Sequence, residues 1–292
     1  MSKIRKDVDA TADSYPYVTG MGFRNRAHMI FDEFHQEPAG KIKADGDVVF
    51  IKTDYVATFF NDQMPHIKHN IKIITHNSAL GIDYRYLPFL NHHRIIKWYA
   101  QNANFEHSRL TSVPLGLSNS RWLHGNVEDV KEVVADDTSK QHLVHMNFDL
   151  STNPEKRTPV FDRFVNQDYV LHTDPKPFKE YLYDLKGCKY TLSPPGAGND
   201  CHRTWEAIIV GTIPIIEKTH NMSFYEGLPV LMVDDWSNVT LDLLEEKYEE
   251  IIDKKNNTSY TELQHWVEEI GLLPEPRSAP AGVIIPPGCE LA

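Results

Sequence analysis

The sequence predicts an α/β protein built on parallel sheets. Three observations carry that prediction. Short apolar, β-branched runs alternate with segments of helical period along the chain. In the second half a strand, a glycine-bearing loop, a helix and another strand follow within a short span, which implies parallel pairing through a right-handed crossover. Hydrophobic residues make up 41% and charged residues 24%, an ordinary globular composition that excludes disordered and low-complexity classes. At 292 residues the chain is long enough for one large or two modest domains, and it contains no internal repeat.

Residues 48–51, 71–75 and 94–98 read as the first strands. Residues 126–136 read as a helix, with Val127, Val130, Val133 and Val134 on one stripe. Residues 142–148 start a new strand, in which His142 and His145 alternate, one to the surface and one to the core. The polar stretch 135–140 has no periodicity and is expected to separate the domains, giving 1–138, 139–272 and a proline-bearing tail, 273–292. Helices are expected at 154–165 and 177–186, the second closed by Gly187. A strand at 189–193 leads through the loop 194–199 to a helix at 201–210, with Asp200 as its N-cap and Gly211 past its end. Strands at 212–216 and 230–233 follow, then acidic helices at 241–253 and 260–270, the latter with Ser259 and Glu262 as a capping box. These last helices are candidates to return to the first domain.

Basic residues number 30 and acidic residues 41, a formal charge of −11, which argues against nucleic acid as a partner while leaving room for a local cationic pocket. The three cysteines, Cys188, Cys201 and Cys289, have no CxxC spacing and read as reduced thiols of a cytoplasmic protein. The first ten residues lack the apolar stretch of a signal peptide. The longest apolar run, 207–216, is broken by Gly211, Thr212 and Pro214, so no membrane span is expected.

The chemistry concentrates in SPPGAGNDCHRTWE, residues 193–206. A glycine-bearing loop entering a helix N-terminus presents unpaired N–H groups and the positive dipole end to an anion. Gly196 and Gly198 let the backbone come close to a ligand. Arg203 and Glu206, three apart, share a helix face. The arginine suits a phosphate and the carboxylate suits two neighbouring hydroxyls, the polarity of a nucleotide sugar. The bland alternatives are a plain turn and a surface ion pair. Lys156 and Arg157 are weaker candidates to reach a diphosphate.

The run YTLSPPGAGNDCHRTWEAIIVGTIPII (190–216), continued by LPVLMVDDWS (228–237), resembles the donor-binding segment of exostosin-like glycosyltransferases. The first half adds ITHNS (74–78), QN (101–102), VPLG (113–116) and RWLHG (121–125). Together they are similar to the small viral members of that family, of the chlorovirus β-xylosyltransferase type, in which case the host-cell cytoplasm is the expected location. The resemblance implies a GT-B architecture, two Rossmann-like domains facing across a cleft, with a UDP-sugar donor on the second and a glycan acceptor, fucose-containing by the same analogy, on the first. It implies Arg203 at the diphosphate and Glu206 at the ribose, with Ser193, Pro195, Gly196, Gly198, Asn199, Asp200, His202 and Arg157 in the donor cradle. It implies no cofactor and no metal, so Asp234-Asp235 reads as a strand-end turn and cap. The histidines His66, His69, His76, His92 and His93 lack metal-ligand spacing.

One position departs from the pattern. Similar sequences carry Asp after the His-Asn-Ser run, and here Ala79 stands there. An inverting transfer needs a base to take the acceptor hydroxyl proton. Either Asp83, His76 or Asp54 serves, or the chain is a nucleotide-sugar-binding variant of the scaffold, natural or engineered, without turnover. A sulfo- or phosphotransferase is a further reading, weakened by the missing GxxxxGK[ST] lysine. Trp98 and Trp205 read as core; Trp122, beside Arg121 and His124, reads as core or as a sugar platform.

Overall fold

The computed structural model describes residues 4–5, 8–219, 223–256 and 259–277. Cys289 and tail residues 278–292 lie outside the described residues; residues 273–277 carry neither helix nor strand. The chain divides into two compact units, Met1–Gly125 with Glu262–Ala292, and Asn126–Thr261. Each holds a five-stranded sheet in which every pairing is parallel. Each unit is thus a parallel sheet flanked by helices, a Rossmann-like α/β domain, as expected.

In the first unit the strands are β1 (Met29–Phe31), β2 (Val48–Lys52), β3 (Ile71–His76), β4 (Ile95–Gln101) and β5 (Leu110–Val113), and they lie in sequence order. Connections wound one way place their helices on one face. Accordingly α2 (Val56–Asp62) and α3 (Leu87–Leu90) enclose a core with Val49, Ile51, Ile73, Trp98 and Ala100. The opposite face, lined by Phe50 and Ile74, is buried as well. There α1 (Gly20–Asn25) meets α9 (Leu263–Ile270), Leu263 lying against Gly22, and the Lys72 Nζ donates to the Ile270 carbonyl at 2.7 Å. The strands β1 and β5 have only three and four residues, too short to show an apolar period in the sequence.

The second unit contains β6 (His142–Met146), β7 (Val170–His172), β8 (Cys188–Leu192), β9 (Ile213–Glu217) and β10 (Leu231–Val233), in the order β10-β9-β8-β6-β7. Its helices are α4 (Val127–Ala135), α5 (Pro154–Phe164), α6 (Phe178–Lys186), α7 (His202–Ile209) and α8 (Leu241–Ile252). The order reverses between β6 and β8, and a doubly wound sheet binds ligands at the carboxyl ends beside such a reversal.

Several expectations change. The units divide at 125/126 rather than within 135–140, because α4 packs against α6. Val134 is 39% exposed, so the α4 stripe is Val130 and Val133. Gly187 closes α6 in right-handed geometry (φ −70°), whereas Gly211 (φ +78°) does need glycine's freedom. The last helix starts at Leu263, with Glu262 as an N-cap that makes no side-chain bond, so the expected capping box does not form. This helix returns to the first unit, and α8 stays in the second.

Candidate functional site

The loops leaving β6 and β8 bring the predicted donor residues together. Ser193 Oγ lies 2.9 Å from Thr204 Oγ1, tying the start of the glycine loop to α7. The loop turns at Gly196, whose N–H donates to the Gly198 carbonyl at 3.0 Å. The Gly196 carbonyl accepts from Asn153 Nδ2 at 2.8 Å, and the Pro195 carbonyl accepts from Arg157 Nε at 3.0 Å. A Cβ on Gly196 would come within 2.9 Å of Arg157 Nη2. Arg157 is 5% exposed, and its Nη1 donates to the Asp149 carbonyl at 2.7 Å. Its guanidinium therefore holds the loop from within. Ala197 is exposed and Gly198 and Asn199 are half-buried, leaving this edge of the loop open to a ligand.

Arg203 sits in the first turn of α7. Its Nε donates to the Asn147 carbonyl at 2.9 Å, and its Nη1 is buried without a hydrogen-bond partner. A buried donor left unmatched costs on the order of 1–3 kcal/mol, which an anion accepting from it would recover. Arg157 and Arg203 both lie over Phe148. Burial, and after it the Arg203 charge, pushes the Arg157 pKa below its ordinary value. Two arginines are thus gathered around Phe148 inside an acidic chain.

Glu206, one turn deeper, is 5% exposed, and Tyr181 Oη donates to its Oε2 at 2.9 Å. Burial pushes its pKa up to about 7; the Tyr181 hydrogen bond and the Arg203 charge oppose that rise. His145, its ring 5.7 Å from that of Tyr181, is fully buried, its Nε2 3.1 Å from Thr173 Oγ1, with burial holding its pKa down to about 4.

Asp200 is not the cap of α7. Cys201 holds that position without a side-chain bond, while Asp200 turns inward. Its Oδ1 accepts from Trp205 Nε1 at 2.8 Å and from Tyr225 Oη at 2.5 Å. Asp200 therefore anchors the end of the loop in the core, and Trp205 is core as expected. His202 is half-buried at the helix start. Lys156 pairs with Glu217 at 3.5 Å, and Asp235 caps a short helix through Ser237 N. Asn147, Phe148, Asn153 and Tyr181 were not evident as site residues. Only the strand order, which puts the loop after β6 beside the glycine loop, points to the first three.

In the first unit, His76 ends β3. Its Nδ1 accepts from Asn77 N–H at 2.8 Å, so its Nε2 donates to the Pro114 carbonyl at 3.1 Å. Burial pushes its pKa down to about 4. Gln101 clamps the next residues, accepting from Asn77 N at 3.1 Å and donating to the Ser78 carbonyl at 2.8 Å. Asn77 takes a left-handed φ of +59°, which asparagine tolerates. Ala79 is exposed just beyond. Asp83 grips Arg85 through both carboxylate oxygens, at 3.0 and 2.7 Å, which holds its pKa below the usual range. Asp54 is exposed. The Trp122 ring is approached by Arg121 at 4.9 Å and stacked by His124.

Among the described residues no three His, Cys, Asp or Glu side chains are grouped to hold a metal, and no helix is long and apolar enough to cross a membrane.

No curated protein matches the chain. Among solved structures it is similar to a GtfA/B complex (TM-score 0.41, 11% identity, 78% of this chain and 57% of that one). It is similar to Anabaena HepE in complex with UDP-glucose (0.43, 8%, 77% and 77%). It is also similar to the α,α-trehalose 6-phosphate synthase of Burkholderia multivorans (0.45, 11%, 80% and 70%). This chain thus spans little more than half the length of the GtfA/B chain it matches. The RXYLT1 C-terminal domain family matches residues 134–271, a stretch that takes in all of β6–β10 and the whole glycine loop.

Proposed function

We propose that this chain is a UDP-sugar-dependent glycosyltransferase whose donor occupies the carboxyl edge of the second unit. The observation that carries this reading is Arg203 Nη1, buried and unmatched in the first turn of the helix that the glycine loop enters, against the loop leaving β6 at the sheet's reversal point. The diphosphate lies against Arg203 and the loop, and the ribose hydroxyls meet Glu206. Ser193, Asn153 and Arg157 shape the loop, and Asp200 anchors it. The family match over residues 134–271 supports the same placement.

The reaction we assign is an inverting, metal-independent transfer of xylose to a hydroxyl of a fucose-containing glycan, the acceptor falling to the first unit. The sugar and the acceptor rest on the sequence resemblance alone. Calorimetry with UDP and a panel of UDP-sugars, with and without a chelator, tests the proposal. UDP binding that Arg203→Ala leaves unchanged would sink the donor site.

A second reading is favoured by Ala79: a scaffold that binds the donor and turns it over slowly or not at all. His76 has both ring nitrogens engaged, and Asp83 is committed to Arg85, so neither is a ready base. Sugar transfer assayed before and after Ala79→Asp separates the two readings.

A further inference from the structure

Glu206 is a nearly inaccessible carboxylate with one hydrogen bond, from Tyr181 Oη to Oε2 at 2.9 Å. Buried carboxylates are ordinarily matched at both oxygens. Here the second oxygen, Oε1, has no hydrogen-bond partner among the described residues and is not one of the buried unmatched atoms, so it is open to solvent or to a ligand, and its residue follows Arg203 by one turn of α7. Arg203 supplies charge, but its Nε is committed to the Asn147 carbonyl. Tyr181 is itself fixed, its ring stacked on Phe178 at 6.2 Å and tilted against His145 at 5.7 Å.

Resting on the donor assignment above, we propose that Tyr181 is a positioning residue for that site: its hydroxyl holds Glu206 Oε2 and thereby turns Oε1 to accept from the vicinal diol of a nucleoside diphosphate. The consequence is a coupling between nucleotide binding and the charge of Glu206. With one donor, burial dominates and Glu206 ionises at about pH 7. A diol donating to Oε1 favours the ionised form, so binding below that pH releases a proton. The groups that face this carboxylate are Tyr181 from α6 and Arg203 from α7, with His145 of β6 behind the tyrosine. Asp184, Lys176 and His172 act on that histidine in turn. His145 stays neutral above about pH 4, so it does not titrate in the same range.

The test is the pH dependence of UDP affinity from pH 5.5 to 9, for the parent protein and Tyr181→Phe. 2′,3′-Dideoxy-UDP serves as control, because it carries the same phosphate titration near roughly pH 6 and lacks the diol. UDP should bind more tightly as pH rises through about 7, beyond the change seen with the dideoxy nucleotide. In Tyr181→Phe that midpoint should rise by about one pH unit, the size of one hydrogen bond to a carboxylate. UDP should then weaken about fivefold at pH 7 and less than about twofold at pH 9. Replacing Tyr181 by 3-fluorotyrosine, a stronger donor of the same shape, should move the midpoint down, and it keeps the test open if Tyr181→Phe does not fold. UDP and dideoxy-UDP binding alike, or neither binding, would overturn the ribose contact and this proposal with it. A Tyr181→Phe loss equal at every pH, or an unmoved midpoint, would overturn the proposal and leave the donor site standing.

Discussion

The guanidinium carbons of Arg157 and Arg203 lie 5.8 and 5.4 Å from the same ring, that of Phe148. Two like charges share one aromatic support, yet they are differently employed. Arg157 donates to two loop carbonyls through Nε and Nη1, whereas Arg203 donates to one through Nε and keeps Nη1 unmatched. One arginine builds the cradle and the other is left for the anion.

That division predicts different outcomes for two substitutions. Arg203→Ala should weaken UDP by ~1.5–3 kcal/mol, the range for a hydrogen bond to a charged group, with little change in Tm. Arg157→Ala leaves two loop carbonyls without their donor and should lower both Tm and UDP affinity. Calorimetry and thermal melts on the two variants check this; equal Tm losses would remove the distinction.

Gly196 should tolerate no side chain. A methyl there would meet Arg157 Nη2 at 2.9 Å, and that guanidinium is buried and hydrogen-bonded rather than free to swing. Gly196→Ala should cost about 1–3 kcal/mol of stability, as overpacking does, and weaken UDP. Gly40→Ala, where nothing lies within 4 Å, is the matched control and should leave both unchanged.

Ala79→Asp should raise kcat by about 10²–10⁴, the usual worth of a positioned base, and leave donor affinity nearly unchanged. Asp83→Asn should leave any basal transfer within a few-fold, because Asp83 is engaged with Arg85. If Ala79→Asp is silent and Asp83→Asn abolishes transfer, Asp83 is the base.

Stability should depend on pH through three buried groups. His76 and His145 have folded pKa values of about 4 against an ordinary 6.5. The unfolded chain takes up their protons first, so their contribution is full above pH 6.5 and is lost as pH falls toward 4. Each is worth up to ~3 kcal/mol. Glu206, raised to about 7 from 4.5, has the opposite sign: its contribution is full below pH 4.5 and is lost as pH rises through 7. Glu206→Gln should therefore raise Tm at pH 8 while weakening UDP, and should steepen the loss of stability between pH 6.5 and 4.5. Melts across that range, with a Tm at pH 8 no higher than the parent's, would count against Glu206 being a strained carboxylate.

The sequence made the second unit legible because β9 is buried on both faces and reads as an apolar run, and because Gly196, Arg203 and Glu206 sit on one contiguous segment. What it hid was tertiary. Tyr181 reaches Glu206 across 25 positions, Asn153 reaches Gly196 across 43, and no local period records either. Asp200 has the spacing of a helix cap, but Trp205 and Tyr225 draw its carboxylate into the core. In the first unit the strand-end motif was visible, yet the engagement of both His76 nitrogens depends on Pro114, 38 residues away.

The return of α9 to the first unit has a consequence for synthesis. The sheet of β1–β5 is complete once residue 113 has been made, but its second face still lacks Leu263, Trp266, Val267 and Ile270. Residues 126–261 form a compact unit that is finished earlier, although it begins later. On the ribosome the order of maturation is therefore inverted: the part that emerges first is sealed last. A chain arrested before residue 263 should expose the uncovered face of its first sheet to chaperones, while its second unit is already folded.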